Sequence, residues 1–279
     1  MPGGQPGPSE RADLGGDLHA WYVLPVTASF DASGPVQAHY RELLARVYVW
    51  MIGGMDAALA TNTALLERLR VPRGAPGDAA PRALDIGAGP GPQSLALATM
   101  GYQVTALEPD ETLLDELRTE AARRGLSVTA VRGEAPLGLG LAGPFDLVTC
   151  MSDTLVSLPD RDAAKHTVFD AAQRLAPGGR FIVSWRDLRA LPAGNARFVP
   201  VRSSDRRVLT CFLEAVDDQR VRVHDVLHER SGDGFTQHVS SYDKLRIGAD
   251  EVMAWVSAAG LVVDTHDQDR GMQVLVARR

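Results

Sequence analysis

An α/β protein built on a mostly parallel sheet, with helices on both faces, is the fold class this sequence predicts. Three observations carry that expectation. From Ala83 to Trp185, short apolar runs bounded by turn residues alternate with helical patterns, the rhythm of βαβ units. After Trp185 come three strand-like runs, and then one helix and two strands close the chain. With 279 residues, 45% of them hydrophobic and 23% charged, the chain can bury a sizeable core and lacks the composition of a disordered protein.

Taken in order, residues 1–17 are rich in Gly and Pro and read as a disordered tail. Residues 18–80 form a helical cover, with VQAHYRELLARVYVWM and MDAALATNTALLERLR separated at Gly53-Gly54. Residues 81–187 are the α/β core. Its strands are ALDIGAG, QVTALE, SVTAVRG, FDLVTCM and RFIVSW. Between them lie the helices GPQSLALATMG, TLLDELRTEAARRG and PDRDAAKHTVFDAAQRLAPGG, the last stopped by Pro-Gly-Gly. PLGLGLAGP is poor helix material, so that crossover is irregular. Residues 188–247 read as an inserted antiparallel lid made of RRVLTCFLEAV, QRVRVHDVLHERS and FTQHVSSYDKLRI. Residues 248–279 supply a helix and two strands that bring the core sheet to seven.

The net charge of -6 opposes holding nucleic acid or anionic membrane by bulk charge. The longest apolar run, Val47 to Ile52, is far short of a membrane span. With no signal-peptide pattern at the N-terminus, a cytoplasmic location is expected. Cys150 and Cys211 stand far apart, and His224 and His228 share one face of a strand rather than of a helix. No metal site is expected.

Gly87, Gly89 and Gly91 sit at the turn from the first strand into the first core helix. Glycine there lets backbone approach a ligand, beside the unpaired N–H groups of a helix start. The dinucleotide fingerprint would need Gly or Ala at position 92, where Pro92 stands, and no Walker lysine follows. The second strand ends in Glu108, placed to accept both hydroxyls of a ribose.

ALDIGAGPG, ALEPD, RGEAP, FDLVTCMSDTL and LAPGGRFIVSW, in this order, resemble the motifs of class I S-adenosylmethionine-dependent methyltransferases. The resemblance implies a Rossmann-like fold and S-adenosylmethionine as cofactor, with S-adenosylhomocysteine as product. By it, Asp85 and the Gly87–Gly91 backbone, Ala88 included, hold the methionine end. Glu108, with Pro109 beside it, holds the ribose. Glu134 and Ala135 contact the adenine, and Cys150 and Met151 lie near the sulfonium.

Strand ends form the ligand crevice of such a sheet, so Asp153, Trp185 and Arg186 are candidates for the chemistry. Asp153 is read as a base, a hydrogen-bond acceptor or a turn residue. Arg186 suits a carboxylate, phosphate or carbonyl, an arrangement similar to that of glycine-type N-methyltransferases. Tyr242, Lys244 and Arg246 alternate along the lid's last strand and would reach substrate, although the plain reading of that alternation is a solvated face. His238 is a further candidate base. Tyr40, Tyr48 and Trp50 lie on the cover helix, placed either to line the pocket or to fill the core.

The function expected is methyl transfer to nitrogen or oxygen of a small polar or heteroaromatic metabolite, by in-line displacement dominated by alignment. A non-catalytic cofactor-binding or partner protein on the same fold is the alternative, or an RNA or protein methyltransferase. The partner expected is a small molecule, with no nucleic acid and no membrane; a homodimer is allowed.

Overall fold

The computed structural model describes residues 36–279 apart from 76, 78, 136–140 and 142. The expected tail (1–17), the first part of the cover (18–35) and most of the irregular crossover lie outside the described residues.

The cover opens as α1 (Val36–His39), which runs through a π-helical turn (Tyr40–Leu44) and a 3-10 turn (Ala45–Val47) into α2 (Tyr48–Met51). A π turn widens the backbone and re-aims side chains, often at functional sites; this one begins at Tyr40. Gly53 and Gly54 adopt φ of 95° and 91°, a region that residues with a Cβ rarely enter. There the chain turns by 74° into α3 (Met55–Arg68). No single helix among the described residues is long and apolar enough to cross a membrane.

The core alternates as β1 (Arg82–Ile86), α4 (Pro92–Thr99), β2 (Gln103–Glu108), α5 (Glu111–Arg123), β3 (Val128–Arg132), β4 (Phe145–Cys150), α6 (Arg161–Arg174) and β5 (Leu175–Trp185). The expected Pro-Gly-Gly helix stop falls differently. Phe145 faces Leu175 but Leu147 faces Arg180, so Pro177-Gly178-Gly179 loops out within the start of β5.

Next comes a separate antiparallel sheet, the lid: β6 (Phe198–Ser203), β7 (Arg207–Ala215), β8 (Arg220–Ser231) and β9 (Gly234–Leu245), hydrogen-bonded in that order. Three strands were expected. All six residues of β6 are exposed and Pro200 interrupts it, so this edge strand has none of the alternating burial that marks a strand in sequence.

Helix α7 (Ala249–Ala258) and strands β10 (Val262–Asp269) and β11 (Met272–Arg278) finish the seven-stranded sheet, whose order is β10-β11-β5-β4-β1-β2-β3. β1 lies parallel to both β2 and β4, while β11 is antiparallel to β5. The winding thus reverses between β1 and β4, and the carboxyl ends of these strands frame a ligand crevice. Leu84 and Ile86 pack with α6 and α7 on one face, through Val168, Val252 and Val256. Ala83 and Leu147 pack with Leu65 of α3 and Leu97 of α4 on the other.

The lid turns an apolar face inward. Leu209 pairs with Leu227, Cys211 with Asp225, Val223 with Tyr242, and Val221 with Lys244. Against it lie Leu43, Leu44 and Val47, so the cover helix is buried on the lid. Together they roof the crevice. Arg246 fixes the lid's root by donating to the carbonyls of Leu188, Arg189 and Asp217. Arg161 donates in turn to the Arg246 carbonyl at 2.7 Å and to Gln219 at 2.9 Å.

Candidate active site

One cavity of about 1110 Å³ runs from the glycine turn to the lid. Gly87, Gly89 and Gly91 have φ of 70°, 56° and 90°. A Cβ on Gly87 would stand 2.4 Å from the Thr154 side chain, and one on Gly91 would stand 2.1 Å from Leu117 Cδ1. At Gly89 a Cβ would meet nothing within 4 Å. All three φ values strain a residue that has a Cβ; beyond that, Gly87 and Gly91 answer to packing and Gly89 to the space in front of it. Gly87→Ala and Gly91→Ala are each expected to cost roughly 1–3 kcal/mol of stability through strain, read as a lower thermal midpoint. Gly89→Ala should fold and lose ligand affinity, read by calorimetry.

Asp85 does not line this cavity. It is 1% exposed, accepts from Ser94 Oγ at 2.7 Å and Thr149 Oγ1 at 2.8 Å, and burial raises its pKa. It pins the turn between β1, α4 and β4. The resemblance gave it a place at the ligand; the structure gives it the shaping of the loop.

Glu108 is buried at the cavity wall, accepting from the Gly89 N–H at 2.9 Å and the Asp110 N–H at 3.0 Å. Burial outweighs these hydrogen bonds and pushes its pKa up to about 7. Pro109, Ala88, Glu134, Ala135 and Met151 line the same end. The Glu134 carboxylate accepts from Gln37 Nε2 at 3.0 Å, which ties the cover to the loop after β3. Cys150 is turned away: fully buried in the core cluster, its thiol is pushed up to about 12 by burial.

At the lid end stand Tyr40, Tyr48, Tyr242, Asp153, Arg186 and Lys244. Lys244 Nζ lies 2.6 Å from Asp153 Oδ2, which Arg186 also engages, and the Arg186 N–H donates to Asp153 Oδ1 at 3.1 Å. Burial favours the acid form of Asp153, but Lys244 and Arg186 overcome it and hold the carboxyl at about 2. Asp153 is thus a fixed anion that binds the lid strand to the core, too weak a base to take a proton from substrate at neutral pH. Arg186 is half exposed and leaves donors for a ligand. Burial raises the Tyr40 and Tyr242 phenols and brings Tyr48 to about 12, so all three remain hydrogen-bond donors.

The solvated-face reading of β9 fails, since Tyr242 and Lys244 are buried and face the cavity. Four other expected residues stand elsewhere. Arg246 lies past the end of β9 and clamps the lid's root. His238 shares a face with Tyr242 but sits toward the sheet's far end, 3.4 Å from Glu229. Trp50 packs under the guanidinium groups of Arg202 and Arg207. Trp185 is fully buried and donates from Nε1 to the Ile247 carbonyl at 3.1 Å. Among the described residues, no three His, Cys, Asp or Glu side chains come together as a metal would need.

Residues 83–179 match a family described as the methyltransferase domain. That stretch is a methyltransferase domain, on the fold of class I S-adenosylmethionine-dependent methyltransferases. A ubiquinone biosynthesis O-methyltransferase of Xanthomonas axonopodis pv. citri is 36% identical over 116 residues, 41% of this chain and 46% of that protein. A protein-L-isoaspartate O-methyltransferase of Methylorubrum populi is 37% identical over 103 residues, 37% of this chain and 43% of that protein. The chain thus spans less than half the length of the curated relatives it matches. Among solved structures, the CcbJ methyltransferase of Streptomyces caelestis aligns with a TM-score of 0.69 at 25% identity, covering 86% of this chain and 97% of that one. The amino pentose methyltransferase CalS10 of Micromonospora echinaspora, solved with S-adenosylmethionine bound, aligns with a TM-score of 0.65 at 22% identity, covering 85% and 96%.

Sequence reasoning missed three residues around this cavity. Gln37 and His39 precede Tyr40 on the cover helix and carried no separate signal. Asp225 did carry one. In RVRVHDVLHE it takes an inward position of β8, in line with Val221, Val223 and Leu227, where alternation calls for an apolar side chain.

Proposed function

We propose that the protein is an S-adenosylmethionine-dependent methyltransferase that moves a methyl group to nitrogen or oxygen of a small polar or heteroaromatic metabolite. One observation carries this reading: a single cavity joins a buried carboxylate beside an open glycine turn to the Asp153–Lys244–Arg186 cluster under the lid. Its volume of about 1110 Å³ exceeds the roughly 300–1000 Å³ of one small-ligand pocket, which suits two ligands held together.

The residues fit an adenosyl donor. Gly89 leaves room where any side chain would stand, Glu108 offers acceptor oxygens to ribose hydroxyls, and Pro109, Leu113 and Ala135 give apolar walls. When bound, the donor supplies a methyl group on a cationic sulfur, and its carbon–sulfur bond breaks with the electron pair left on sulfur. The chain's own work is alignment, worth roughly 7–11 kcal/mol when reacting groups are held in place. Glu134 and Met151 flank the donor end. Tyr40 and Tyr48 line the cavity wall, and Arg186 and Lys244 meet an anionic or carbonyl group of the acceptor. Lid and cover exclude water. A cytoplasmic protein with a small-molecule partner, free to form a homodimer and independent of metal, nucleic acid and membrane, belongs to the same reading.

The test is calorimetric titration with S-adenosylmethionine, S-adenosylhomocysteine and NADH in parallel. Saturable binding of both adenosyl ligands and none of NADH is expected, followed by S-adenosylhomocysteine release with members of a panel of amines, amino sugars and phenols. Absence of adenosyl binding overturns the reading.

A further inference from the structure

The lid end of the cavity holds a buried pair to which alignment gives no task. His39, 1% exposed, donates from Nε2 to Asp225 Oδ2 at 3.1 Å. Its Nδ1 is buried with no hydrogen-bond partner among the described residues. The imidazole stacks on the Tyr242 ring at 4.3 Å. Asp225 lines the cavity, and its other oxygen, Oδ1, has no hydrogen bond among the described residues. A carboxylate among Val223, Leu227 and Tyr242 is expensive to bury, and an unexplained buried polar group asks for a role.

The groups facing Asp225 come from every element around it: His39 from α1, Cys211 from β7 and Tyr242 from β9, with Tyr40, Lys244, Arg186 and Asp153 beyond. None of the others suits a proton. Lys244 and Arg186 are cations, Asp153 is held at about 2 by them, the Cys211 thiol is pushed to about 12 by burial, and the phenols remain protonated.

We propose that Asp225 is the proton acceptor of the transfer and that His39 positions it. The inference rests on the methyltransferase reading. As the acceptor's nitrogen or oxygen gains the methyl group, its proton passes to Asp225 Oδ1. The electron pair of the former N–H or O–H bond stays on that atom, and the carboxylate becomes a carboxylic acid that solvent later deprotonates. His39 Nε2–H keeps Oδ2 occupied, so that Oδ1 is the oxygen left for the acceptor.

The experiment uses the full chain and the panel member turned over fastest. Asp225→Asn is expected to lower kcat by about 10²–10⁴-fold and to abolish the acid limb of its pH profile, with S-adenosylhomocysteine affinity and KM near parental. Asp225→Glu keeps the limb at reduced kcat, and His39→Gln moves the limb. A second readout needs no turnover: imidazole ¹⁵N spectra of the complex with S-adenosylhomocysteine should show His39 as the single Nε2–H tautomer, mixed in Asp225→Asn. A parental kcat and acid limb in Asp225→Asn, or a change confined to KM, overturns the proposal, as does a mixed tautomer in the parent. If Asp225→Asn fails to fold, Asp225→Glu and His39→Gln decide by the same criteria. A parent that binds S-adenosylhomocysteine yet methylates no panel member ends the proposal for want of a proton to accept; a parent that binds no adenosyl ligand ends the methyltransferase reading itself.

Discussion

Glu108→Gln is expected to weaken S-adenosylhomocysteine binding by about 10²-fold while making the free protein more stable above neutral pH. The first effect follows from the acceptor. Hydrogen bonds to a charged group contribute about 1.5–3 kcal/mol each, and the amide keeps one acceptor oxygen where the carboxylate has two. The second follows from burial, which raises the folded carboxyl from 4.5 to about 7. The unfolded chain releases this proton at the lower value and the folded protein holds it until the higher one. Between the two the folded state carries more bound protons, so stability falls as pH rises through that window. The loss is of order 3 kcal/mol; Glu108→Gln escapes it, and the amide NH2 it turns toward one of the two backbone donors, Gly89 or Asp110, offsets about 1–3 kcal/mol of that gain. Binding runs the other way. Ribose hydroxyls donate to the ionised form, so parental affinity should drop as pH falls below about 7, by up to about tenfold per unit. Calorimetry from pH 5.5 to 8.5 on both proteins checks this; a flat parental profile refutes the ribose role.

Asp153→Ala is expected to cost about 3 kcal/mol at neutral pH, because it leaves Lys244, 10% exposed, beside Arg186 with no anion between them. The folded carboxyl is depressed from 3.8 to about 2, so its contribution is complete above about 4 and fades as pH falls through 2. Parent and variant should therefore differ most near neutrality and converge under acid. Lys244→Met removes one of two cations, leaves the Asp153–Arg186 pair, and should cost much less. Thermal midpoints of the three proteins at pH 7, 4 and 2.5 test the ordering. An equal gap at all three values would mean that packing, not charge, sets the effect.

The parallel core was legible because buried strands read as apolar runs and their turns carry Gly, Asp and Pro at fixed places. Glu108 was legible for the same reason: it ends a strand beside the glycine turn. The lid was only partly legible. β6 is an exposed edge, and an edge strand has no buried face to write a pattern into its sequence. The direction of a charged side chain was the weakest inference. Alternation put Tyr242, Lys244 and Arg246 on one face but could not choose which face met the cavity, nor that the strand ends at Leu245. Asp153 and Arg186 were seen singly; their bond depends on β4 and β5 lying side by side, a fact of topology. His39 and Asp225 are 186 positions apart, and no local pattern links them.

The burial of the cover helix on the lid bears on how such proteins diversify. The glycine-turn end of the cavity is lined chiefly by residues 86–135, whereas the lid end draws on two segments separated by the whole core, 36–51 and 198–245, which meet Asp153 and Arg186 of the core there. Neither segment can be grafted from a relative alone. A chimera with a foreign lid strands His39 without its carboxylate, and one with a foreign cover strands Asp225 among Val223 and Leu227. The His39–Asp225 contact is therefore inherited as a matched pair of segments. Exchanging the two together, with the core left untouched, is the recombination this architecture permits.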